Sequence, residues 1–446
     1  MDLFVVRGST PLSGEITVAG AKNVALKAFV TALLTDSEVT LGNIPHIGDV
    51  VAMGEVIKSL GATVDITSHT ARIHTPKKLV SRVPLELGAR LRASSLVVGP
   101  LLARVGNAMI PNPGGCRIGA RPIDRHIQGL IRMGAHIRYH SEDGYFHAQA
   151  PDGLHGVTFE FPKNTHTGTE TLILAAVLAE GTTVLKNAAE EVEIDDLIGL
   201  LSAMGAHIRR SGAREITIDG VPSLHGARYS IAPDRNEEVT FAIAAAITNG
   251  SVVVHASQPK ALDAFMTPFL AAGGGIQMID AHTTRYFRKR ALVAGDIMTA
   301  PYPGFMTDWQ APWAVLMTQA RGVSTVHETV FESRFSYVQE LQKMGAKIAF
   351  YDPAVTNPEA FYNFNWGDRV NGHHQGIRIT GPTTLHNAIL DITDLRAGAT
   401  LLLAALVAEG ESFVHGVAHV DRGYEHIEDR LRALGAHIKR IKEGDI

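Results

Sequence analysis

The sequence is poor in cysteine, in excess charge of either sign and in long apolar runs. One thiol, Cys116, stands among 446 residues, which excludes an intramolecular disulfide and a cysteine-rich zinc site and favours the reducing cytoplasm. The 41 Lys and Arg against 45 Asp and Glu give a net charge of −4, so no overall basic field attracts nucleic acid or a membrane. Apolar runs such as Leu401–Ala408 are too short to span a bilayer, and residues 1–20 lack the pattern of an export signal.

Glycine, in contrast, is abundant, and it recurs within a repeated phrase. Each copy reads apolar residue, glycine, small residue and then alternating apolar residues, and successive copies lie about 70 residues apart, with a longer last interval. Helical spacing before the glycine and alternation after it predict a helix, a left-handed glycine and a half-buried strand. In the first copy, Asp49 is predicted to be the N-cap of that helix. The six glycines are Gly61, Gly134, Gly205, Gly273, Gly345 and Gly435.

A second phrase, leucine plus small residues before a strand, completes the unit. It occurs at Leu12–Gly14, Leu154–Gly156, Leu224–Gly226 and Leu385–Asn387. Apolar helices are predicted to follow at Ala25–Leu34, Thr171–Leu178, Thr240–Ile247 and Thr400–Val407. The unit is therefore strand, helix, strand, helix, strand, strand.

Six units form two groups of three, with a hinge at Ala232–Arg235. The segments Ala281–Ala300 and Tyr351–Gly376 fit the repeat poorly and are predicted to be surface loops, with an oligomer contact as the alternative.

Charged residues cluster just before, or in the first turns of, the predicted helices. If helices lie side by side within a group, their N-termini gather on one face, where backbone N–H groups also favour anions. Each such arginine alone is consistent with a solvated surface residue, but the repeated placement indicates a ligand with several negative charges, such as phosphates. The cations are Lys22, Arg92, Arg121, Arg334, Arg396 and Arg422.

Two further residues are candidates for chemistry. Cys116 lies in a glycine-rich loop with arginines nearby, a setting that lowers a thiol pKa, so a reactive thiol is favoured over a packed one. Asp308 precedes an apolar helix and is either an N-cap or a general base. No group of histidines has metal-ligand spacing, so no metal or other cofactor is expected. Gly273–Gly275 lacks the context of a dinucleotide fingerprint.

With these residues in view, the chain resembles the enolpyruvyl transferases along nearly its whole length. The matching phrases are Ala19–Asn23, Arg92–Ser94, Pro113–Cys116, Ile118–Pro122, Thr307–Asp308, Glu332–Phe335, Thr393–Ala397 and Asp421–Glu425.

This resemblance implies a fold. It is an α/β fold of two domains, an inside-out α/β barrel of six βαβαββ-type units with helices inside and sheets facing solvent. Domain I would span residues 22–231 and domain II residues 1–21 plus 232–446, with the active site in the cleft between them. The partners implied are two small-molecule substrates, with no nucleic acid and no membrane. The protein is expected to be a monomer or a weak homo-oligomer.

The resemblance also implies the reaction and its residues. The enolpyruvyl group of phosphoenolpyruvate would pass to the 3′-hydroxyl of UDP-N-acetylglucosamine by addition and elimination, with release of phosphate, as the first committed step of peptidoglycan precursor synthesis. Cys116 would be the general acid at C3, and Asp308 would take the hydroxyl proton. Lys22, Arg121 and Arg422 would hold the phosphate; Arg334 and Arg396, with Arg422, would hold the carboxylate.

The same resemblance implies the residues that bind the nucleotide sugar. They are Asn23, Arg92, Arg121, Pro122, Ile123, Asp124, His126, Lys163, Thr165, Asp308 and Val330.

Three segments depart from the family pattern and keep alternatives open. Thr165–Thr167 replaces Ser-Val-Gly, Asn236–Val239 differs at the hinge, and Glu191–Glu193 lacks a central proline. One alternative is an enolpyruvyl transferase acting on another nucleotide, and a second is a silent paralogue that binds a nucleotide sugar. The shikimate-pathway relative fits less well because it lacks a Gly-Gly-Cys loop. A cysteine hydrolase would pair Cys116 with His126.

Overall fold

The computed structural model describes residues 2–114, 119–370 and 372–444. Within these residues the strands are β1 Asp2–Arg7, β2 Ser13–Thr17, β3 Val39–Gly42, β4 Thr63–Thr67, β5 Thr70–His74, β6 Asn107–Pro111, β7 His136–His140, β8 Tyr145–Gln149, β9 Thr158–Glu160, β10 Thr182–Lys186, β11 His207–Gly212, β12 Glu215–Asp219, β13 Arg228–Ser230, β14 Ser251–His255, β15 Gly274–Asp280, β16 Thr283–Arg288, β17 Ile297–Met298, β18 Gly322–His327, β19 Lys347–Tyr351, β20 Gly376–Gly381, β21 Ile389–Asp391, β22 Glu411–His415 and β23 His437–Lys442.

Helices alternate with these strands. The α-helices are α1 Lys22–Thr31, α2 Gly48–Ser59, α3 Leu85–Arg90, α4 Val98–Val105, α5 Asp124–Arg132, α6 His166–Ala176, α7 Val192–Ala203, α8 Arg235–Ile247, α9 Asp263–Ala271, α10 Gln310–Thr318, α11 Val338–Lys343, α12 Pro358–Phe361, α13 Leu395–Val407, α14 Val417–Asp421 and α15 Ile427–Ala433. Short 3-10 helices occupy Ala32–Leu34, Arg92–Val97, Pro259–Ala261, Thr307–Trp309 and Trp366–Asp368. None of the helices in the described ranges is long and apolar enough to cross a membrane.

The chain divides into two compact units. The first unit comprises the described residues of 20–116 and 122–232, and the second those of 1–19, 117–121 and 233–446. Each unit has its own hydrophobic core. In the second unit the core surrounds α8, α10 and α13, which are buried on almost every side. The corresponding buried helices of the first unit are α1, α4 and α6. Each of these helices is mostly apolar beyond its first turn, which suits such a central position.

The predicted repeat is confirmed at all six glycines. Each has a positive φ, from 91° at Gly345 to 107° at Gly273. Each follows the C-cap residue of a helix, namely α2, α5, α7, α9, α11 and α15. A strand then begins within two residues, as β4 does after Gly61. The repeated phrase therefore marks one local structure, a helix end that turns directly into a strand.

Six sheets, three in each unit, are present in the described part of the chain. A typical one has the order β11-β12-β10-β9, with β9 parallel to β10 and the other pairs antiparallel. Strands β4 and β7 carry mostly exposed or half-buried residues, so the sheets face solvent. The mixed α/β architecture confirms the predicted fold class.

The chain passes from one unit to the other after each of two strands, β2 and β13. Strand β2 precedes α1 of the first unit but pairs with β14 in a sheet of the second, with Gly14 opposite Val252. Strand β13 precedes α8 of the second unit but pairs with β3 in a sheet of the first, with Tyr229 opposite Leu41. Strand β1 completes the last sheet of the second unit by pairing with both β22 and β23.

Two segments predicted to be surface loops have more structure than expected. The segment 281–300 contains β16, which pairs with β14 and β15, so it forms the regular last strand of its repeat. The segment 351–376 contains α12 and an aromatic cluster in which Tyr362 and Phe364 are buried. The ring of Tyr362 stacks on Trp366 at a centroid distance of 4.7 Å. Burial of these rings orders a segment whose sequence shows no regular pattern.

Candidate active site

In the second unit, Asp308 lies between two arginines. Its Oδ1 atom is 2.8 Å from Nη2 of Arg334 and 3.7 Å from Nε of Arg396. The N-cap positions here are Met306 for the 3-10 helix and Trp309 for α10. Of the two predicted roles for Asp308, the N-cap is therefore wrong. The carboxylate is oriented by the two guanidinium groups, and a positioned carboxylate is one of the side chains that can act as a general base.

Arg334 is held by the turn that carries Asp308. Its Nε donates to Oγ1 of Thr307 at 3.1 Å, and its Nη2 donates to the carbonyl of Thr307 at 3.2 Å. Burial alone would lower the pKa of this guanidinium, but the charges of Asp308, Asp394 and Glu328 outweigh burial and raise the pKa. Arg334 is thus a fixed, permanently charged group.

Arg396 is the second residue of α13 and is fixed at both ends. Asp394, the N-cap, accepts a hydrogen bond from the backbone N–H of Arg396 at 3.0 Å. The side-chain Nη1 donates to the hydroxyl of Tyr424 at 3.1 Å. Burial lowers the pKa of Arg396, but Tyr424 and Asp308 raise it more, so the net shift is upward. The α13 N-terminus and the guanidinium together favour an anion.

Arg422 lies at the end of a helix and not at the start that the sequence predicted. It was expected at a helix start, but it is the C-cap residue of α14. The next helix, α15, begins only at Ile427 because His426 adopts a left-handed conformation. Gly423 packs closely on Leu395, and a Cβ atom there would lie 2.5 Å from that side chain. This close approach places the turn that carries Arg422 against the first residue of α13.

Arg121 and Val330 complete the predicted residues of the second unit. The Arg121 guanidinium lies over the ring of Phe331, 5.1 Å from its centroid, and that of Arg334 lies 5.8 Å from the same centroid. The backbone N–H of Val330 donates to Oε1 of Glu328 at 2.8 Å. The segment 330–334 therefore carries two predicted site residues and contacts a third, Arg121.

In the first unit, Lys22 is the first residue of α1 and pairs with Asp49. Its Nζ lies 2.7 Å from Oδ2 of Asp49, and the two side chains are 11% and 5% exposed. Asp49 was expected to cap α2, but the N-cap is Ile47 and Asp49 lies in the first turn. The prediction that Asp49 is the N-cap was therefore wrong, because its carboxylate pairs with Lys22 instead. Asn23 follows Lys22 in α1 and is half-buried.

Apart from Arg121, Asp308 and Val330, the predicted nucleotide-sugar residues lie at or just before helix starts of the first unit. Thr165 is the N-cap of α6 and accepts from the N–H of Gly168 at 3.2 Å. His126, in the first turn of α5, places Nε2 2.9 Å from Oγ1 of Thr167, which joins α5 to α6. The remaining residues are Arg92, which begins a 3-10 helix, Pro122, Ile123 and Asp124, which lead into α5, and Lys163, which precedes α6.

A buried ionic network next to Thr165, formed by Lys27, His166 and Glu170, was not predicted from the sequence. Lys27 is fully buried in α1 and forms an ion pair with Glu170 of α6. Its Nζ also lies 3.2 Å from Nε2 of His166 and donates to the carbonyl of Glu193. Burial would raise the pKa of Glu170, but Lys27 and His166 lower it to about 2. The apolar pattern of α1 gave no signal of a buried lysine.

Cys116 and the loop residues 115–118 lie outside the described residues. The roles assigned to this thiol therefore stay predictions from the sequence.

Comparisons with known proteins agree with these observations. The family model of EPSP synthase (3-phosphoshikimate 1-carboxyvinyltransferase) matches residues 6–431. A UDP-N-acetylglucosamine 1-carboxyvinyltransferase of Acidobacterium capsulatum is 46% identical, covering 99% of this chain and 96% of the relative. One of the same name from Solibacter usitatus is 44% identical, covering 99% and 100%.

Solved structures show the same fold. The enolpyruvyl transferase NikO from Streptomyces tendae superposes with a TM-score of 0.85 at 23% identity, covering 98% of each chain. An EPSP synthase from Acinetobacter baumannii gives a TM-score of 0.72 at 18% identity, covering 99% of this chain and 100% of that one. The resemblance drawn from the sequence motifs is confirmed, and the chain belongs to the EPSP synthase family of carboxyvinyltransferases.

Proposed function

We propose that this chain is a UDP-N-acetylglucosamine 1-carboxyvinyltransferase, which transfers the enolpyruvyl group of phosphoenolpyruvate to the 3′-hydroxyl of UDP-N-acetylglucosamine. Relatives with this name are 42–46% identical over nearly the full chain. The structural observation that carries the proposal is the cluster of Asp308, Arg334 and Arg396, a carboxylate fixed between two buried guanidinium groups.

The cluster supplies a base and anion-binding groups. In the addition step, Asp308 takes the proton of the sugar hydroxyl as that oxygen attacks C2 of phosphoenolpyruvate, and C3 gains a proton. In the elimination step, the tetrahedral adduct loses phosphate from C2 and a proton from C3, which restores the double bond in the enolpyruvyl ether. Preorganised charge stabilises such an adduct because the donors need not reorient during the reaction.

Roles for the cations are proposed from the family resemblance of the motifs that carry them. Arg396 and Arg334, with Arg422, are proposed to bind the phosphoenolpyruvate carboxylate, and Lys22 and Arg121 its phosphate together with Arg422. Cys116 is proposed as the general acid at C3.

The nucleotide sugar is assigned to the helix starts of the first unit. Asn23 and His126 lie in the first turns of α1 and α5, and Thr165 is the N-cap of α6; the N–H groups at such helix ends favour a diphosphate. The same role is proposed for Arg92, Arg121, Pro122, Ile123, Asp124, Lys163, Asp308 and Val330.

The product would enter peptidoglycan precursor synthesis, and hence cell-wall formation. Both substrates carry several negative charges and cross lipid poorly, which supports a cytoplasmic enzyme. The binding of no nucleic acid and no membrane, and a monomeric or weakly oligomeric state, stay predictions.

An enolpyruvyl transferase that uses another nucleotide acceptor is the second candidate. The observation in its favour is His166, which lies between Thr165 and Thr167 in the proposed nucleotide-binding segment and is tied to Glu170 at 3.0 Å.

Phosphate release from phosphoenolpyruvate tests these proposals. The purified protein is offered UDP-N-acetylglucosamine, UMP or shikimate 3-phosphate separately, and the product mass is measured. We expect phosphate release with UDP-N-acetylglucosamine alone. Release only with another acceptor would assign the reaction to a different pathway, and release with no acceptor would favour a silent paralogue.

Asp308→Asn is expected to reduce kcat by about 10²- to 10⁴-fold, while calorimetry should show that the variant still binds UDP-N-acetylglucosamine. Full activity of this variant would overturn the role of Asp308.

A further inference from the structure

Glu328 is a buried carboxylate next to the proposed site, directly after β18. It is 1% exposed, and its side chain accepts three hydrogen bonds. Oε2 accepts from the hydroxyl of Thr307 at 2.8 Å. Oε1 accepts from the backbone N–H groups of Val330 at 2.8 Å and Phe331 at 3.1 Å. One carboxylate therefore joins the turn that carries Asp308 to the segment that carries Val330 and Arg334.

A chain of hydrogen bonds connects Glu328 to Asp308 through Thr307 and Arg334, and the donor and acceptor of each bond are fixed. A guanidinium only donates, so Arg334 donates through Nε to Oγ1 of Thr307. The hydroxyl hydrogen of Thr307 is then available for Glu328, which accepts it. Arg334 donates through Nη2 to Asp308 at 2.8 Å. The position of the Asp308 carboxylate thus depends on Glu328 through two intermediate side chains.

We propose that Glu328 is a positioning residue for the transfer reaction, which holds the Asp308 carboxylate in line with the acceptor hydroxyl through Thr307 and Arg334. This inference rests on the proposed function, in which Asp308 takes the hydroxyl proton. Misplacing a catalytic group by about 1 Å lowers rates by about 100-fold, so the geometry that Glu328 imposes matters for kcat even though Glu328 does not touch the substrate.

Replacement by glutamine breaks this arrangement in either amide orientation. If the amide NH₂ faces Thr307, the hydroxyl oxygen can accept from both the amide and Arg334, but the hydroxyl hydrogen loses its acceptor. If the NH₂ faces Val330 and Phe331, donor meets donor. Glu328→Gln is therefore nearly isosteric, but it removes the acceptor either of the Thr307 hydroxyl hydrogen or of the Val330 and Phe331 N–H groups.

Glu238 offers a matched control in the same unit. It is also fully buried, and it accepts from the hydroxyl of Tyr286 at 2.6 Å and from the backbone N–H of Gln258 at 2.8 Å. Neither Tyr286 nor Gln258 is among the proposed substrate-binding residues. Glu238→Gln should thus cause a comparable loss of stability with little effect on chemistry.

The experiment measures Tm, kcat and both KM values for wild type, Glu328→Gln and Glu238→Gln. We expect the two variants to lower Tm to a similar extent, while kcat falls at least tenfold for Glu328→Gln and less than about twofold for Glu238→Gln. Equal effects of the two variants on kcat would overturn the inference. An inactive wild type would instead overturn the proposed function and, with it, this inference.

Two further variants keep the test decisive if Glu328→Gln does not fold. Thr307→Val removes the hydroxyl that links Glu328 to Arg334, and Thr307→Ser retains it. We expect at least a tenfold higher kcat for Thr307→Ser, and equal kcat values would contradict the proposal.

A double-mutant cycle tests whether Glu328 acts through Asp308. Glu328→Gln should then cause no further loss of kcat in an Asp308→Asn background, because residues that act as one unit are not additive. Full additivity would exclude Asp308 as the group that Glu328 positions.

Discussion

Nζ of Lys22 lies 2.7 Å from Oδ2 of Asp49, so the first residue of α1 is tied to the first turn of α2. Both side chains are largely buried, and breaking such a pair leaves an uncompensated charge. Lys22→Met should therefore destabilise the protein by about 3–5 kcal/mol and also abolish phosphate release.

The double variant Lys22→Met/Asp49→Asn separates these two effects. It should recover most of the lost stability in thermal unfolding but none of the turnover. Recovery of turnover in the double variant would show that Lys22 has only a structural role.

The hydroxyl of Tyr424 is predicted to matter for substrate binding through Arg396. It accepts from Nη1 of Arg396 at 3.1 Å and lies 2.9 Å from Oγ1 of Thr240. Tyr424→Phe should cost about 1–3 kcal/mol of stability and raise KM for phosphoenolpyruvate about threefold to tenfold, because the guanidinium loses one of its anchors. Steady-state kinetics check the change. Tyr286→Phe, which also removes a buried hydroxyl, should lower Tm without changing KM; the same KM shift in both variants would contradict this role.

The ion pair of Lys27 and Glu170 predicts how stability depends on pH. The pKa of Glu170 falls from 4.5 to about 2 on folding. Its contribution is therefore complete above about pH 4.5 and is lost as the pH falls toward 2. Glu170→Gln should destabilise the protein by about 3–5 kcal/mol at pH 7 because Lys27 stays buried and charged.

Thermal unfolding from pH 7 to pH 3 checks this prediction. The Tm difference between wild type and Glu170→Gln should narrow as the pH falls below 4.5. Glu15→Gln, which removes an exposed partner of His255, should change stability by less than about 1 kcal/mol at pH 7. A Tm difference that is constant across the range would argue against an ionised Glu170.

The repeated glycines are predicted to contribute through backbone conformation. Gly435 has φ 97°, and a Cβ atom there would meet nothing within 4 Å. Gly435→Ala should thus cost about 1–2 kcal/mol from conformation alone, and Gly435→Asn should cost less because asparagine tolerates positive φ. Chemical denaturation measures both. Equal stability of the alanine variant and wild type would contradict a conformational requirement.

Much of the fold could be predicted because each repeat encodes its own helix end and strand. The glycines at 61, 134, 205, 273, 345 and 435 and the strands after them were predicted correctly since both signals are local. Helix starts were predicted less accurately. Helices α1, α6, α8 and α13 begin three to five residues before the predicted apolar runs, because charged residues such as Lys22 and Arg235 occupy their first turns.

The sequence predicted which residues form the candidate site better than it predicted the contacts between them. Asp308 was a candidate from its motif, but its partners Arg334 and Arg396 are distant in sequence, and only the folded unit brings them together. Lys27 and Glu170 had no local signal at all, since each interrupts an apolar helix and finds its partner in another helix. Glu328 likewise gains its importance from Thr307 and Arg334, which its own sequence neighbourhood does not reveal.

The pairing of β1 with β22 and β23 sets the order in which the protein can mature during its synthesis. Phe4 lies opposite Val414, so β1 is synthesised about 400 residues before its neighbour β22, roughly 20 to 80 s at about 5–20 residues per second. Leu3, Phe4 and Val6 end fully buried, and throughout that time they have no finished sheet to join. The nascent chain therefore exposes these apolar side chains until β22 and β23 have been synthesised, and exposed apolar surface of this kind favours aggregation during that interval.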